Sequence, residues 1–239
     1  MPETLKIFAL PALLTAVISY LLGSISFSII FTKAFGHHAD IRSMGSGNAG
    51  MANVLRSVGA KAATFTTICD FAKCAGSAMI GRAIFQAVCT ANHLPAYYTQ
   101  YGAFLAGFAC ILGHLYPIYF GFRGGKGILS TSALMLVLDW RIFVVAISVW
   151  AVTMILSRIV SLSSILAAAS FPVSTFIFSY LDYHSKASQI GVLPISYVWI
   201  TTAIALGFAV ILIWKHRANI VRLKNGTEKK MSIKHSQES

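Results

Sequence analysis

Seven apolar segments alternate with polar connections along the 239-residue chain. A helix needs roughly 20 residues to cross a hydrocarbon core of about 30 Å, and five of the segments are long enough to do so. The segments cover residues 7–31, 62–80, 101–120, 128–138, 142–156, 162–181 and 192–214. This pattern predicts an all-α integral membrane protein with about seven transmembrane helices, forming a single membrane domain over residues 1–239.

The two middle segments are short, and the sequence leaves open whether residues 128–138 and 142–156 both cross the membrane fully. If both cross, or if they form one re-entrant hairpin, most of the 19 Lys and Arg residues share the face that holds the C-terminus. With a single crossing the basic residues divide almost evenly between the two faces. Cytoplasmic loops carry an excess of Lys and Arg. We therefore predict an N-terminus outside and a C-terminus in the cytoplasm.

The composition excludes a soluble domain. Hydrophobic residues make up 56% of the chain and charged residues 11%, whereas soluble domains carry about 25% charged residues. A net charge of +12 can indicate nucleic-acid binding, but such proteins gather their basic residues on polar faces. Here the basic residues lie between apolar segments and in a C-terminal region, 215–239, that we predict to be a basic cytoplasmic tail. No nucleic-acid partner is predicted.

The loop after the first segment has the composition of an anion site. Three glycines fall within six residues there, and glycines let backbone N–H groups turn toward an anion. Hydroxyl and amide side chains add neutral donors, and an arginine adds a planar guanidinium suited to phosphate. The alternative is a flexible loop that merely joins two helices. The predicted phosphate ligands in this loop are Gly45, Ser46, Gly47, Asn48, Asn53 and Arg56.

A second glycine-rich loop precedes the fourth segment. It places Lys126 directly before an apolar helix, and the free N–H groups of a helix N-terminus are a natural phosphate site. The loop is not a nucleotide P-loop, because Phe120 occupies the position of the first glycine and Gly127 that of the Ser or Thr. The predicted phosphate ligands in this loop are Gly124, Gly125, Lys126 and Gly127.

Two further polar turns lie on the same predicted face. Ser161, Ser163 and Ser164 begin the sixth segment as candidate phosphate ligands, with a simple helix cap as the alternative. His216 and Asn219 share one face of a helix that follows the last segment. The alternative for that helix is a basic amphipathic element lying on anionic lipid.

Asp70 and Lys73 lie one helical turn apart inside the second segment. Charges within a membrane span are costly, and they mark either function or a mutual ion pair. A structural pair that faces the helix bundle is at least as strong a hypothesis as a reacting role.

Taken together, the motifs resemble the signatures of the acyl-phosphate:glycerol-3-phosphate acyltransferases. The matches follow the family's order from about residue 23 to residue 228. The matching residues are Gly45-Ser46-Gly47-Asn48, Asn53-Val54-Leu55-Arg56, Asp70, Lys73, Gly113-His114, Pro117, Gly124-Gly125-Lys126-Gly127, Ser161-Leu162-Ser163-Ser164, His216-Arg217, Asn219-Ile220 and Gly226-Thr227-Glu228.

The resemblance implies a multi-pass enzyme of the bacterial inner membrane with its active site facing the cytoplasm. Its reaction would transfer a fatty acyl group from acyl phosphate to the 1-hydroxyl of sn-glycerol 3-phosphate, giving lysophosphatidic acid and phosphate. The implied catalytic residues are Ser46, Asn48, Arg56, Lys126, His216 and Asn219. The implied supporting residues are Asp70, Lys73, His114 and Glu228. Residues 216–228 of the tail would join the active site.

No covalent acyl-enzyme is predicted, because acyl phosphate is already an activated acid anhydride. No cofactor or metal ion is predicted, because the sequence shows neither a set of metal ligands nor a dinucleotide fingerprint. The expected partners are the two substrates and membrane lipid, with the enzyme that makes acyl phosphate as a further candidate. His216 and the phosphate of the substrate both remain candidates for the base that accepts the hydroxyl proton.

A small membrane transporter of a phosphorylated solute is the alternative from another class. It would use the same basic loops and the same intramembrane charges, but transporters usually contain internal repeats with broken helices, and the sequence shows no such repeat. Soluble-type acyltransferases carry an H-x4-D pair. That class is disfavoured, because no histidine here is followed by an aspartate five residues later.

Overall fold

The computed structural model describes residues 3–36, 38–185 and 190–231, and within these residues it contains helices and no β-strand. Two short 3-10 turns, Ile41–Ser43 and Ile118–Phe120, lie in the glycine-rich regions. The α-helices are α1 (Glu3–Gly23), α2 (Phe27–Phe35), α3 (Met51–Ser57), α4 (Ala60–Ala91), α5 (Tyr98–Leu115), α6 (Ile128–Leu138), α7 (Trp140–Ser157), α8 (Val160–Ser185), α9 (Ile195–Lys215) and α10 (Arg217–Lys224).

Among the described residues, six helical segments are long and apolar enough to cross a membrane, and the shorter helix α6 makes a seventh. This confirms the prediction of an all-α membrane protein with about seven membrane helices. The 11 residues of α6 extend only about 16 Å, which is roughly half a hydrocarbon core. Helix α6 therefore does not cross a full bilayer by itself, whereas the 18 residues of α7 come close to doing so.

The membrane helices approach one another closely at glycines. A Cβ atom on Gly23 of α1 would collide with the carbonyl group of Cys110 in α5. Gly81 of α4 and Gly102 of α5 face each other in the same way, so that a Cβ on either would collide with the backbone of the other. Small residues at such contacts let helix backbones pack against each other within a membrane.

The first membrane span corresponds to the predicted segment over residues 7–31, and within it the helix is interrupted at residues 24–26, between α1 and α2. Lys73 of α4 donates from Nζ to the carbonyl oxygen of Ile25 at 2.7 Å. The same ammonium group lies 2.7 Å from Asp70 Oδ1, and the two side chains are 5% and 3% exposed. The intramembrane ion pair is thus formed, and it stabilises the break by binding a backbone carbonyl that has left the helix.

Helix α4 continues to Ala91, although its apolar pattern ends at residue 80. Arg82, which lies in this extension, donates to the backbone carbonyl of Val137 and to the side chain of Gln100. Val137 belongs to the last turn of α6, where carbonyl groups have no partner within their own helix. The arginine therefore caps the short helix from a neighbouring one.

Candidate active site

The side chain of Asn53 holds the first glycine loop in shape. Its Oδ1 accepts a hydrogen bond from the backbone N–H of Ser46 at 3.0 Å. Its Nδ2 donates to the carbonyl groups of Ile41 and Met44 at 3.1 and 2.9 Å. Gly45 has a φ of +54°, and a Cβ there would collide with the Asn53 amide. Both amide hydrogens of Asn53 are used within the loop, so its side chain shapes the loop that exposes Ser46.

Arg42 connects the first glycine loop to the second. Its guanidinium forms an ion pair with Asp40 at 2.7 Å and donates from Nη1 to the carbonyl oxygen of Phe120 at 2.6 Å. The hydrogen bond from Arg42 lowers the pKa of the Asp40 carboxyl group. The two loops therefore form one surface.

The second glycine loop folds back against the end of α5. The N–H of Gly124 donates to the carbonyl of Leu115 at 3.2 Å, and that of Gly125 donates to the carbonyl of His114 at 3.1 Å. A Cβ on Gly124 would collide with the His114 carbonyl oxygen, and one on Gly125 would collide with the His114 ring. Gly127 then begins α6 with a φ of +83°. The N–H groups of Gly124 and Gly125 thus bind the backbone of α5.

Lys126 joins a network of side chains that reaches the C-terminal part of the chain. Its Nζ donates to Oδ1 of Asn219, and Nδ2 of Asn219 donates to Oε1 of Glu228 at 2.7 Å. Glu228 also accepts a hydrogen bond from Ser161 Oγ at 2.7 Å and from Arg222 Nε at 2.6 Å. We call these five residues the Lys126 network. It brings together four predicted residues that come from three separate regions of the sequence.

The surroundings of Lys126 disfavour the positive charge of its ammonium group. The pKa of its ammonium group is lowered to about 8, mainly by burial. The neighbouring cations Arg222, Arg56 and Lys215 act in the same direction, and Glu228 acts against them. Arg56 is exposed in the last turn of α3, next to the first glycine loop. This arrangement provides a region that is short of negative charge and would be stabilised by an anion.

We expect kcat/KM to fall as the pH rises through about 8, because Lys126 loses its positive charge there instead of near the usual lysine pKa of 10.5. A pH profile of kcat/KM reports the ionisation of the free enzyme, so the measurement should cover about pH 6 to 10. The Lys126→Arg variant should have no such decline, since a guanidinium keeps its proton throughout that range. A wild-type profile that stays flat to pH 10 would contradict the assignment.

His216 lies at the junction of α9 and α10, and its side chain is buried. Its Nδ1 is 2.8 Å from the carbonyl oxygen of Leu212, which requires that Nδ1 carry the hydrogen. Burial lowers the pKa of the ring to about 4, and the charge on Lys126 contributes in the same direction. The imidazole is therefore neutral at physiological pH, and its Nε2 keeps a free lone pair.

The remaining predicted residues lie around this network. Ser163 and Ser164 are buried and donate their hydroxyl groups to the carbonyls of Ile159 and Val160, one turn earlier in the helix. Asn48 is half-buried in the first glycine loop. A direct role of these three side chains in phosphate binding stays a prediction.

Beneath the second glycine loop lies the intramembrane ion pair. His114 Nδ1 is 3.2 Å from Lys73 Nζ and 3.7 Å from Asp70 Oδ1, while the other side of the ring supports Gly125. Three of the four residues predicted to be supporting, Asp70, Lys73 and His114, therefore form a polar cluster that links the loop to α4 and α5.

The predicted tail is partly described. Residues 217–224 form α10, and the backbone N–H of Met231 donates to the carbonyl of Arg158 at 2.8 Å. Glu228 contacts Ser161 at the start of α8, and residues 232–239 lie outside the described part of the chain. The sequence interpretation missed the contacts of Arg42 and Arg222. The spacing of Arg222 from Asn219, one helical turn, was the available signal.

Comparisons with known proteins are consistent across sequence and structure. The family model described as glycerol-3-phosphate acyltransferase matches residues 13–226. The glycerol-3-phosphate acyltransferase of Cereibacter sphaeroides (strain ATCC 17025 / ATH 2.4.3) is 37% identical over 229 residues, which are 96% of this chain and 94% of that protein. The glycerol-3-phosphate acyltransferase of Brucella ovis is 36% identical over 221 residues, which are 91% of this chain and 92% of that protein.

Two solved structures have the same fold. Both are crystal structures of PlsY (YgiH), an integral membrane glycerol 3-phosphate acyltransferase. The glycerol 3-phosphate form has a TM-score of 0.70 and 30% identity, covering 92% of this chain and 96% of that one. The lysophosphatidic acid form has a TM-score of 0.68 and 28% identity, covering 92% of this chain and 95% of that one.

Proposed function

The chain belongs to the glycerol-3-phosphate acyltransferase family, and we propose that it transfers a fatty acyl group from acyl phosphate to the 1-hydroxyl of sn-glycerol 3-phosphate. The products are 1-acyl-glycerol 3-phosphate, which is lysophosphatidic acid, and inorganic phosphate. This is the first acylation of phospholipid synthesis. The observation that carries the proposal is the Lys126 network at the ends of membrane helices, because both substrates carry phosphate and one carries a lipid chain.

The cations in and around the Lys126 network are proposed to bind the phosphate groups of the substrates. Arg56 offers a planar fork of N–H donors, and Lys126 offers a charged donor that Asn219 keeps in a fixed position. Charge-assisted hydrogen bonds of this kind are about twice as strong as neutral ones. The exposed hydroxyl of Ser46 and the half-buried amide of Asn48 are proposed to add neutral donors.

The chemistry is a direct acyl transfer. The 1-hydroxyl oxygen attacks the acyl carbonyl carbon, a new C–O ester bond forms, and the bond between that carbon and the phosphate oxygen breaks. The departing phosphate gains negative charge, which Lys126 and Arg56 stabilise electrostatically. No covalent enzyme intermediate is needed, because the anhydride is already activated.

The hydroxyl proton is proposed to pass to the departing phosphate. When the bond to the acyl carbon breaks, the phosphate gains a negative charge and becomes strongly basic, whereas burial holds the pKa of His216 at about 4. The phosphate is therefore the stronger base of the two candidates. His216 is proposed to accept a hydrogen bond at Nε2 and so orient the attacking hydroxyl group.

The choice of donor tests the proposed function. With labelled glycerol 3-phosphate, the purified protein should form lysophosphatidic acid from acyl phosphate and little or none from acyl-coenzyme A of the same chain length. The compact glycine loops suit a phosphoryl group, and the described loops are too short to hold a nucleotide-bearing coenzyme. Comparable or faster transfer from the thioester would refute the donor assignment, even if the product were lysophosphatidic acid.

We further propose that the site faces the cytoplasm of a bacterial inner membrane, because the basic loops gather at that end of the helices. Two single-cysteine proteins on a cysteine-free background test this orientation in intact cells. A thiol reagent that does not cross membranes should label Asn92→Cys, at the opposite end of α4, and should spare Lys224→Cys on α10. The reverse labelling pattern would show that the orientation is inverted.

A further inference from the structure

A pocket of about 330 Å³ lies next to the Lys126 network and has three cationic side chains in its lining. Arg42 comes from the first glycine loop, Arg123 from the second, and Lys215 from the end of α9. The backbone at Gly47 and Gly124 forms part of the wall. This set of residues is different from the one that the proposed mechanism uses, and we call it the basic pocket.

The positive charge of the basic pocket is only partly balanced. Arg42 is paired with Asp40 at 2.7 Å. Arg123 is exposed and forms no hydrogen bond or ion pair with another residue that the structure describes. Lys215 lies over the ring of Tyr116, with its Nζ 4.4 Å from the ring centroid, and no described carboxylate pairs with it. Two cations therefore line the pocket without a counter-charge from any residue in the described ranges.

The basic pocket and the Lys126 network both include residues of the second glycine loop. Gly124 lines the pocket, while Lys126, two residues later, points to Asn219. The positive charge of Lys215 also acts on Lys126, whose pKa it lowers. Because the two sets consist of different cations, each set can bind an anion of its own.

We propose that the basic pocket binds a second phosphoryl group, so that the two phosphate-bearing substrates are held at the same time. This inference rests on the proposed function, in which acyl phosphate and glycerol 3-phosphate must meet although their anionic groups repel each other. One phosphoryl group then binds at Lys126 and Arg56, and the other binds at Arg123, Lys215 and the fixed guanidinium of Arg42. Either substrate can supply the group in the pocket, and the experiment distinguishes them.

Binding of orthophosphate tests the pocket without any turnover. Equilibrium dialysis with radiolabelled orthophosphate uses the purified full chain in nanodiscs of zwitterionic lipid. The double variant Arg123→Gln/Lys215→Gln should bind one phosphate fewer per chain than the wild type. Lys126→Ala should keep the phosphate of the pocket, and the control Lys61→Gln/Lys224→Gln, which removes two exposed cations elsewhere, should match the wild type. Equal stoichiometry in the wild type and the double variant, or an equal loss in the control, overturns the proposal.

Steady-state kinetics identify the source of the phosphoryl group. In Arg123→Gln/Lys215→Gln, we expect the KM of one substrate to rise at least about tenfold, with kcat and the other KM nearly unchanged. A raised KM for acyl phosphate assigns the pocket to the donor, and a raised KM for glycerol 3-phosphate assigns it to the acceptor. Unchanged KM values for both substrates overturn the proposal. If acyl phosphate is not the donor, the wild type shows no activity in the kinetic assay, which contradicts the proposed function. The dialysis still tests the basic pocket in that case, because it measures phosphate binding without turnover.

Discussion

Gly124→Ala is expected to reduce kcat/KM by about 100-fold, the loss that follows when a reacting group is displaced by roughly 1 Å. The new methyl group would collide with the backbone carbonyl of His114, which cannot rotate away as a flexible side chain could. The loop must therefore move away from α5, and Lys126, two residues later, moves with it. Both the Lys126 network and the basic pocket lose their geometry.

Gly76→Ala is the matched control, because Gly76 lies within α4 and a Cβ there meets no heavy atom within 4 Å. Alanine favours a helix over glycine by about 1 kcal/mol, so this variant should be fully active and at least as stable. The melting temperature of each purified variant is measured beside its kinetics. Wild-type activity in Gly124→Ala would contradict the prediction, because it would show that the loop need not keep its present packing against α5 for the enzyme to work.

Lys126→Ala is expected to reduce kcat/KM by roughly 10- to 150-fold, from the loss of a charge-assisted hydrogen bond to phosphate worth about 1.5–3 kcal/mol. The change also removes the hydrogen bond that Asn219 Oδ1 accepts from Lys126. The amide then remains held only by Glu228. A smaller loss should result from Asn219→Ala if its main task is to position the lysine.

Lys61→Ala serves as the control for charge, since Lys61 is an exposed lysine at the start of α4 whose Nζ lies 5.3 Å from the centroid of the Phe35 ring. Its kinetic constants should stay close to those of the wild type. Near-normal kinetics in Lys126→Ala itself would remove the second glycine loop from the active site, and with it the proposed mechanism.

The membrane architecture could be predicted largely from the apolar pattern. Helix α6 has the bounds that the sequence indicates, and the paired charges Asp70 and Lys73 contact each other as their helical spacing suggests. The break at residues 24–26 could not be predicted, because its serines and isoleucine do not break helices by themselves. What stabilises the break is the ammonium group of Lys73, 48 residues away from Ile25 in the sequence.

The composition of the candidate site was visible in the sequence, but its connections were not. Lys126, Asn219, Ser161 and Glu228 were each identified from local motifs. Two features depend on how α8, α10 and the second glycine loop pack. These are the contact of Lys126 with Asn219 and the binding of three partners by Glu228. Asn53 illustrates what a local motif leaves out. An amide among glycines predicts a ligand for phosphate, whereas in the folded loop both N–H groups of the Asn53 amide and its oxygen form hydrogen bonds with the loop backbone.

The contact between Lys126 and Asn219 joins residues that are 93 positions apart. During synthesis of the protein, Asn219 is therefore added to the chain well after Lys126. A ribosome that adds about 5–20 residues per second needs roughly 5–20 s to add the residues between them. During this interval the nascent chain already contains both glycine loops but lacks the amide that positions the lysine. In the proposed mechanism, catalytic competence is therefore acquired late in translation, after Asn219 has been added to the chain.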